Sequence, residues 1–340
     1  MKKNIHIFLR KKTQTFNHSV ERYAEMLSKV KSDKFNIKII NAPLESKGLF
    51  NRIILIFWAI FKQGDINHIL GDIHFISLFM NEKKTINTFL DCRLVNNFKG
   101  LKKFFYVLLW FKMPIFRSKK ITFISNFTKN EIFKLTNSNQ KKNFSILPVP
   151  LFTKKNSACV NKKLNHILIV GTQPNKNIGN ILKALSFFKS IKIYIVGEIN
   201  LKDLNFLRQK NINFENFTNL KDLEIEKLYN KCGLLLFASK YEGFGMPVIE
   251  AQSSKTLVIT SNIEPLKTVS GKAAVLCNPN NIYDIKNKFI YLTKNKLLQN
   301  ELIRKGIVNS NKYNINELGK KYKLMYEKFL ENDSQKMYTL

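Results

Sequence analysis

The sequence predicts an α/β protein built from two Rossmann-like domains, each with a parallel sheet. Three observations lead to this prediction. Short apolar runs alternate with longer amphipathic runs at intervals of roughly 20–30 residues. A polar stretch without periodicity, residues 151–163, divides the alternation into two series. An apolar run at residues 233–237 leads through a glycine loop into a helical segment. With 340 residues, 44% of them apolar, the chain is long enough for about two domains with their own cores.

Strands and helices alternate through the first series. Each predicted strand is a short apolar run, and each predicted helix is a longer run with apolar residues three or four positions apart. The predicted strands cover residues 4–9, 35–40, 66–70, 84–90, 120–125 and 144–150. The predicted helices cover residues 16–30, 48–62, 72–80, 100–111 and 126–136. This series defines a first domain at residues 1–155.

The alternation begins again after the polar linker. The predicted strands cover residues 166–170, 191–196, 211–217, 233–237, 256–260 and 273–277. The predicted helices cover residues 178–189, 222–232, 264–269, 281–295 and 296–309, with one more after residue 245 and a last one at residues 315–330. We assign residues 156–312 to a second domain and residues 313–340 to a C-terminal helix. Ligands of such folds bind at the carboxyl ends of the strands.

Residues 237–260 contain the strongest candidate site, FASKYEGFGMPVIEAQSSKTLVIT. Glu242 and Glu250 lie eight positions apart, and the glycine loop between them leads to Pro247, which suits the first turn of a helix. The first turn of a helix leaves backbone N–H groups unpaired and carries a partial positive charge, so it favours an anion. We therefore expect this strand–loop–helix unit to bind the diphosphate of a nucleotide-sugar.

The run YEGFGMPVIEA at residues 241–251 resembles the E-x7-E motif of retaining GT-B glycosyltransferases, in particular glycosyltransferase family 4. The similarity continues through SNIEPLKTVSGKAAVLCNPNN at residues 261–281 and is also present in HILIVGTQPNKNIGNILKAL at residues 166–185. The resemblance implies a GT-B fold, in which the two domains face each other across a cleft and the final helix crosses back to the N-terminal domain. It also implies a hexosyl- or glycosyltransferase whose N-terminal domain holds the acceptor and whose C-terminal domain binds the nucleotide-sugar.

The resemblance also implies roles for individual residues. Glu250 would bind the ribose hydroxyls, and Glu242 would lie near the transferred sugar or the phosphate-binding loop. Lys176, in the loop after Gly171, would neutralise the leaving diphosphate, where a fixed cation acts mainly on the transition state. Backbone amides directed at the diphosphate or sugar would come from Gly243, Phe244, Gly245 and Met246. We also assign Gly171 and Lys176 to the nucleotide-sugar site, and Glu242 and Lys176 to the catalytic residues.

Two segments of the first domain resemble the acceptor side of a subgroup of this family. HILGDIHFISLF at residues 68–79 matches H-x-x-G-D-x-H, and KKTINTFLDC at residues 83–92 matches T-x-H-D-C except that Leu90 replaces the histidine. His74, with Asp72 nearby, is therefore the catalytic residue expected to line the cleft on this side. The alternative is that His68 and His74 are ordinary packing or surface histidines.

The chain departs from the family at two further places. Family members often have an arginine in the loop that contains Lys176, where this chain has Thr172 and Asn175. Lys255 stands where the family usually has a glycine that closes the helix in the left-handed conformation. Lysine at positive φ costs about 1 kcal/mol, so this cap is predicted to be strained or differently built.

The formal charge of +33 indicates an anionic partner or a bias toward lysine in the composition as a whole. The basic residues are spread over the entire chain, which argues against a specific nucleic-acid site. Two apolar stretches with basic residues, 48–63 and 99–120, either contact a membrane surface or are core helices of the sheet. Neither a signal peptide nor an 18-residue apolar run is present, so we expect a cytoplasmic protein, with peripheral attachment to the inner membrane as an option.

No metal-binding or Walker motif occurs, so we expect no metal and no cofactor besides the nucleotide-diphosphate sugar itself, which is a substrate. The predicted function is retaining transfer of a sugar to a glycan or lipid-linked acceptor in the synthesis of cell-surface polysaccharide or lipopolysaccharide. Leu90 motivates an alternative, a non-catalytic nucleotide-sugar-binding relative or partner subunit. The charge alone motivates a more remote one, a nucleic-acid binder.

Overall fold

The computed structural model describes residues 1–12, 19–138, 143–151 and 162–334. The chain forms two compact units, Met1–Pro150 together with Ile315–Leu340, and Leu151–Asn314. The sequence places these divisions at 155/156 and 312/313. Most of the predicted linker, residues 152–161, lies outside the described residues, as does the beginning of the helix predicted at residues 16–30. Each unit contains a six-stranded parallel sheet, which confirms the predicted α/β class.

The sheet of the first unit has the strand order β2-β1-β3-β4-β5-β6. Its strands are β1 Lys3–Leu9, β2 Phe35–Asn41, β3 Ile66–Leu70, β4 Thr85–Phe89, β5 Lys120–Phe123 and β6 Phe144–Ile146. The helices between them are α1 Ser19–Ser28, α2 Leu49–Phe61, α3 Gly100–Val107, α4 Met113–Phe116 and α5 Asn126–Thr136. The segment predicted as a helix at residues 72–80 is a 3₁₀ helix, His74–Phe79, and a π-helical turn, Leu108–Lys112, joins α3 to α4.

The sheet of the second unit has the strand order β12-β11-β10-β7-β8-β9. Its strands are β7 Lys163–Val170, β8 Lys192–Val196, β9 Asn213–Phe217, β10 Cys232–Phe237, β11 Leu257–Ser261 and β12 Val275–Cys277. Its helices are α6 Ile178–Leu185, α7 Leu201–Gln209, α8 Asp222–Lys231, α9 Met246–Ser253, α10 Leu266–Val269, α11 Ile282–Lys294 and α12 Lys296–Asn311. The last helix of the chain, α13 Ile315–Ser334, belongs to the first unit.

Alternate side chains of the first sheet point to its two faces, as the pleat requires. On one face, Phe8, Ile69, Phe89 and Phe123 share a hydrophobic core with Leu55 of α2. The other face carries a buried polar row that runs across three strands. This face is the one on which α13 lies.

The polar row consists of His68, Thr88 and Thr122, each fully buried. The His68 ring bonds the hydroxyl of Tyr326 on α13 through Nδ1 at 2.7 Å and Thr88 through Nε2 at 2.5 Å, and the Thr88 and Thr122 hydroxyls bond each other. Burial lowers the pKa of His68 to about 3, so its ring is neutral at pH 7. Since every polar atom that is left without a partner in a core is costly, the row fixes where α13 docks.

Helix α7 was not predicted, because its sequence LKDLNFLRQ is short and half polar. Its start has a local cause: the Asn200 side chain accepts a hydrogen bond from the Asp203 amide at 2.9 Å, which caps the first turn. Leu207 is then fully buried in the core of the second unit. The capping asparagine three positions before an acidic residue was the signal available in the sequence.

The first of the two apolar stretches, α2, is a core helix on one side only. Leu55 and Ala59 of α2 are fully buried, whereas Phe57 and Phe61 of the same helix are exposed. In the described part of the chain no helix combines the length and the apolar character needed to span a bilayer.

Lys255 adopts the left-handed conformation, with φ of 59°. It follows α9, and the next residue closes the helix by a bond from the Thr256 amide to the Ala251 carbonyl at 2.8 Å. The predicted glycine-type cap is therefore present, with a lysine in the strained position.

We expect Lys255→Gly to raise the free energy of unfolding of the second unit by about 0.5–1 kcal/mol, because glycine adopts positive φ without a Cβ penalty. Amide hydrogen exchange in β10 and β11 measures the change within this unit. Lys227→Gly, at an exposed position in the middle of α8, is the control and should destabilise by about 1 kcal/mol. A destabilised Lys255→Gly would show that the lysine side chain has a structural role that outweighs its backbone strain.

Candidate functional site

Two loops of the second unit leave the carboxyl ends of adjacent strands. β7 and β10 pair in parallel, so the loop after Val170 and the loop after Phe237 emerge at the same edge of the sheet. Both loops were predicted to contain site residues. The structure brings them together.

An ion pair joins the two loops. Lys176 Nζ lies 2.7 Å from Glu242 Oε1, and the two side chains are only 17% and 11% exposed. The ammonium also lies 4.7 Å from the centroid of the Phe237 ring, within the range of a cation–π contact. A cation and an anion are thus held next to each other, close to the beginning of α9.

Gly171 leaves space for the Lys176 side chain. Its φ is +91°, and a Cβ at this position would lie 2.8 Å from Lys176 Cε. Both the backbone conformation and the contact therefore call for glycine here.

Asparagines hold the loop that contains Lys176 against its neighbours. Asn175 donates from Nδ2 to the Tyr241 carbonyl at 3.0 Å, and its own carbonyl accepts from the Lys240 amide at 2.8 Å. Asn177 has φ of 60° and donates from Nδ2 to the carbonyls of Ala238 at 3.0 Å and Pro279 at 2.6 Å. Asn175, at a position where an arginine was expected, thus fixes the loop instead of supplying charge. Sequence analysis missed Asn177, although asparagine just before a helix is one of the few residues that tolerate this conformation.

The glycine loop turns sharply into α9. Gly245 has φ of +109°, and a Cβ there would lie 2.5 Å from Leu266 Cδ2, so only glycine fits. Met246 and Pro247 begin the helix. The Phe244 side chain is buried, and its ring packs edge-on against Tyr313 with centroids 5.5 Å apart. The predicted backbone donors Gly243 to Met246 therefore lie on a rigid turn at the helix N-terminus.

Glu250 lies within α9, four residues after its first residue, and is only 4% exposed. Its Oε2 accepts a hydrogen bond from the Tyr229 hydroxyl at 2.9 Å. The tyrosine orients the carboxylate, and sequence analysis did not identify it because Tyr229 lies on α8, 21 positions away. A carboxylate has about four acceptor positions, so this bond is compatible with further ones from a ligand.

His74 belongs to the first unit and is only 5% exposed. Its ring stacks on Phe89, with centroids 4.4 Å apart, and Nε2–H donates to the Thr88 carbonyl at 2.8 Å. Burial lowers the pKa of His74 to about 4. The imidazole is therefore neutral at pH 7 and only Nδ1 carries a lone pair.

Asp72, the predicted neighbour of His74, pairs with another residue. One of its carboxylate oxygens lies 3.3 Å from Nη1 of Arg10, and its backbone carbonyl accepts from Trp110 Nε1 at 2.6 Å. Leu90 is half-buried, and its carbonyl accepts a bond from the Thr128 hydroxyl at 3.2 Å. Within residues 1–12, 19–138, 143–151 and 162–334, no group of three His, Cys, Asp or Glu side chains is placed to hold a metal ion.

Residues 152–308, which include Lys176, Glu242 and Glu250, match the family model described as "Glycosyl transferases group 1". Among curated proteins, the O-antigen chain mannosyltransferase RfbU of Salmonella typhimurium is 28% identical over 239 residues, which are 65% of this chain and 63% of that protein. The match thus spans somewhat less than two thirds of the relative's length.

Two solved structures illustrate the fold. Anabaena Alr3699/HepE in complex with UDP-glucose superposes with a TM-score of 0.77 at 9% identity, covering 96% of this chain and all of that one. WaaG, a glycosyltransferase involved in lipopolysaccharide biosynthesis, superposes with a TM-score of 0.70 at 13% identity, covering 93% of this chain and 98% of that one. Such identities show the fold alone. The chain accordingly has the GT-B fold, and the match to the glycosyl transferases group 1 model is confined to residues 152–308.

Proposed function

We propose that this chain is a retaining glycosyltransferase that moves a sugar from a nucleotide-diphosphate sugar to a glycan or lipid-linked acceptor. The synthesis of cell-surface polysaccharide or lipopolysaccharide would be its setting, on the cytoplasmic side of the membrane. The observation that supports the proposal most directly is the ion pair of Lys176 and Glu242, held beside the N-terminus of α9 within the residues that match the glycosyl transferases group 1 model.

The diphosphate of the donor would bind at the start of α9. The turn from Gly243 to Met246 presents backbone there, and the partial positive charge of the helix terminus favours an anion. An ammonium has three N–H donors, so Lys176 can keep its bond to Glu242 and still donate to a phosphate oxygen. Glu250, oriented by Tyr229, would bind the ribose hydroxyls.

The reaction would break the bond between the sugar's anomeric carbon and the diphosphate oxygen. A bond from that carbon to the acceptor oxygen would form on the same face, and the acceptor proton would pass to an oxygen of the leaving diphosphate. Lys176 would offset the negative charge that develops on the diphosphate, which stabilises the transition state more than the ground state. This route does not require a histidine at the position of Leu90.

We propose mannose as the transferred sugar, because the curated relative RfbU is named an O-antigen chain mannosyltransferase. The UDP-glucose complex of the structural neighbour HepE makes glucose the second candidate. The two differ in both base and sugar, so donor binding distinguishes them.

The test is a thermal-shift screen of GDP-mannose, UDP-glucose and other nucleotide sugars, followed by measurement of nucleotide release and sugar transfer with the best donor. We expect one donor to stabilise the chain and Glu250→Ala to abolish that shift. Tyr229→Phe, which only removes the orienting hydroxyl, should weaken binding less. Unchanged donor binding and turnover by Glu250→Ala would refute the ribose assignment.

Leu90 favours one alternative, a chain that binds the donor without transferring its sugar. Leu90→His distinguishes the two functions. A large gain in transfer over an inactive wild type would identify a lost catalytic site, whereas transfer by the wild type would eliminate the alternative.

A further inference from the structure

Large apolar side chains stand outward on the helices that cover one face of the first sheet. On α2 they recur about every fourth position and form a single stripe, exposed between 43% at Ile53 and 83% at Phe61. The stripe consists of Leu49, Phe50, Ile53, Phe57 and Phe61. The second helical stretch exposes Leu101, Phe104, Phe105, Met113 and Phe116. Scattered apolar residues are normal on a protein surface, but ten large ones on two helical stretches are not.

Four contacts link the segments that carry the two sets. The Arg52 guanidinium of α2 lies 4.8 Å from the centroid of the Trp110 ring, in the π-helical turn between α3 and α4. At the other end of α2, the Gln63 side chain accepts from the Asn81 amide at 2.8 Å. Arg117, next to Phe116, donates to the carbonyls of Leu78 and Met80 at 3.1 and 3.3 Å, on either side of the exposed Phe79. We call the exposed surface of α2, Phe79, α3 and α4 the apolar–basic face.

The charge of the apolar–basic face has one sign. Residues 48–63 and 99–120 contain nine Lys and Arg and no Asp or Glu. The exposed lysines of these two segments include Lys62, Lys99, Lys102, Lys103 and Lys112. Glu82, which lies outside these two segments, pairs with Arg117 at 3.8 Å.

This charge decides between occupants. A second copy of the chain docked through the same surface would place like charges against each other, since a two-fold interface is made of identical patches. A nucleic acid would satisfy the lysines but leave the phenylalanine and leucine side chains in water. The interface of an anionic bilayer accommodates both, with rings and aliphatic chains among the acyl chains and lysines among the headgroups.

We propose that the apolar–basic face docks this protein on a bilayer rich in anionic lipid, with α2 and α3 lying in the plane of the interface. The inference deepens the proposed function, because a lipid-linked acceptor is presented at such a surface. The biological role of the docking rests on that function. The docking itself depends on none of the donor-site residues.

Co-sedimentation with vesicles tests the docking. The wild type is expected to bind vesicles of phosphatidylcholine with 30% phosphatidylglycerol at least tenfold better than pure phosphatidylcholine, and to be released by salt. The triple variant Phe57→Ser, Phe104→Ser and Phe116→Ser should lose binding at every salt concentration. Lys102→Gln, Lys103→Gln and Lys112→Gln together should remove the preference for phosphatidylglycerol.

The matched controls lie in the second unit. Leu223→Ser, Leu297→Ser and Val308→Ser change equally exposed apolar residues, and Lys202→Gln, Lys210→Gln and Lys227→Gln change equally exposed lysines. Both control variants should bind as the wild type does. All of these residues are exposed, so thermal midpoints should be nearly unchanged.

Three outcomes would overturn the docking. The first is that the wild type does not bind vesicles, and the second is wild-type binding that the face variants retain. The third is concentration-dependent dimerisation that the phenylalanine variant abolishes without any vesicle binding, which would make the face an interface between copies. Vesicle binding by a chain that turns over no nucleotide sugar would refute the proposed function and leave the docking intact.

Discussion

Lys176→Met is expected to lower sugar transfer by about 10²–10³-fold, the range found when one preorganised group that stabilises developing charge is removed. The ammonium is the cation that the structure places beside the start of α9, and Glu242 together with the Phe237 ring holds it there. If it acts on the leaving diphosphate, the loss should appear mainly in kcat, with a smaller change in donor affinity. Steady-state kinetics with a varied donor concentration measure both.

Stability is the complication in this experiment, because Lys176→Met leaves the largely buried Glu242 carboxylate without its cation. The double variant Lys176→Met with Glu242→Gln removes both charges and should regain stability while transfer stays low. Lys183→Met, on the exposed side of α6, should behave as the wild type. Recovery of transfer in the double variant would mean that Lys176 serves only to neutralise Glu242.

Gly171→Ala tests the same assignment without removing the charge. Its Cβ would press on the Lys176 side chain at 2.8 Å and displace it. We expect a loss of transfer in the same direction as for Lys176→Met, with the total charge of the chain unchanged.

Acidification from pH 7 to pH 5 is expected to lower the free energy of unfolding of the first unit by about 4 kcal/mol. Burial holds the pKa of His68 at about 3 and that of His74 at about 4, compared with 6.5 for an ordinary histidine. Both rings therefore stay neutral in the folded state at pH 5, whereas they are protonated in the unfolded chain. The unfolded state then binds more protons, so the stability that is present above pH 6.5 is lost as the pH falls toward 4.

Tryptophan fluorescence isolates this effect, because Trp58 and Trp110, the two tryptophans of the chain, both lie in the first unit. Urea unfolding followed at a series of pH values gives the slope. His74→Gln should reduce the slope by about half, since one of the two buried rings is then absent. An imidazole signal of His68 or His74 that titrates near pH 6.5 in the folded protein would contradict the prediction.

The local features of the candidate site in the second unit were predictable from the sequence because local sequence determines them. A glycine after an apolar strand, followed by Met246 and Pro247, specifies a turn into a helix, and Gly245 indeed has positive φ. Lys255 was identified by its place just after α9, and its φ of 59° agrees with a cap of the glycine type. In each case the backbone conformation follows from neighbours in the chain.

Features that depend on distant partners were not predictable. Nearly all residues of α2 are apolar, so its sequence does not show which of them face the sheet. The structure shows that Leu55 and Ala59 are the ones in the core. Tyr229 and Glu250 meet because α8 and α9 both pack against β10, and the His74 ring is covered by Phe89 of β4. The sequence pattern shows which types of residue a helix or loop contains, whereas the exposure of each side chain depends on the assembled tertiary structure.

The membership of α13 in the first unit has a consequence for how the chain is made. The second unit, residues 151–314, is one uninterrupted segment, so all of it emerges from a ribosome before α13 does. The sheet of the first unit is synthesised earliest. The first unit is complete only when the last helix has been made and covers His68 and its hydroxyl partners. Until then the face of the sheet that α13 covers is exposed to solvent. In a chain that terminates early at residue 314, this face would stay exposed.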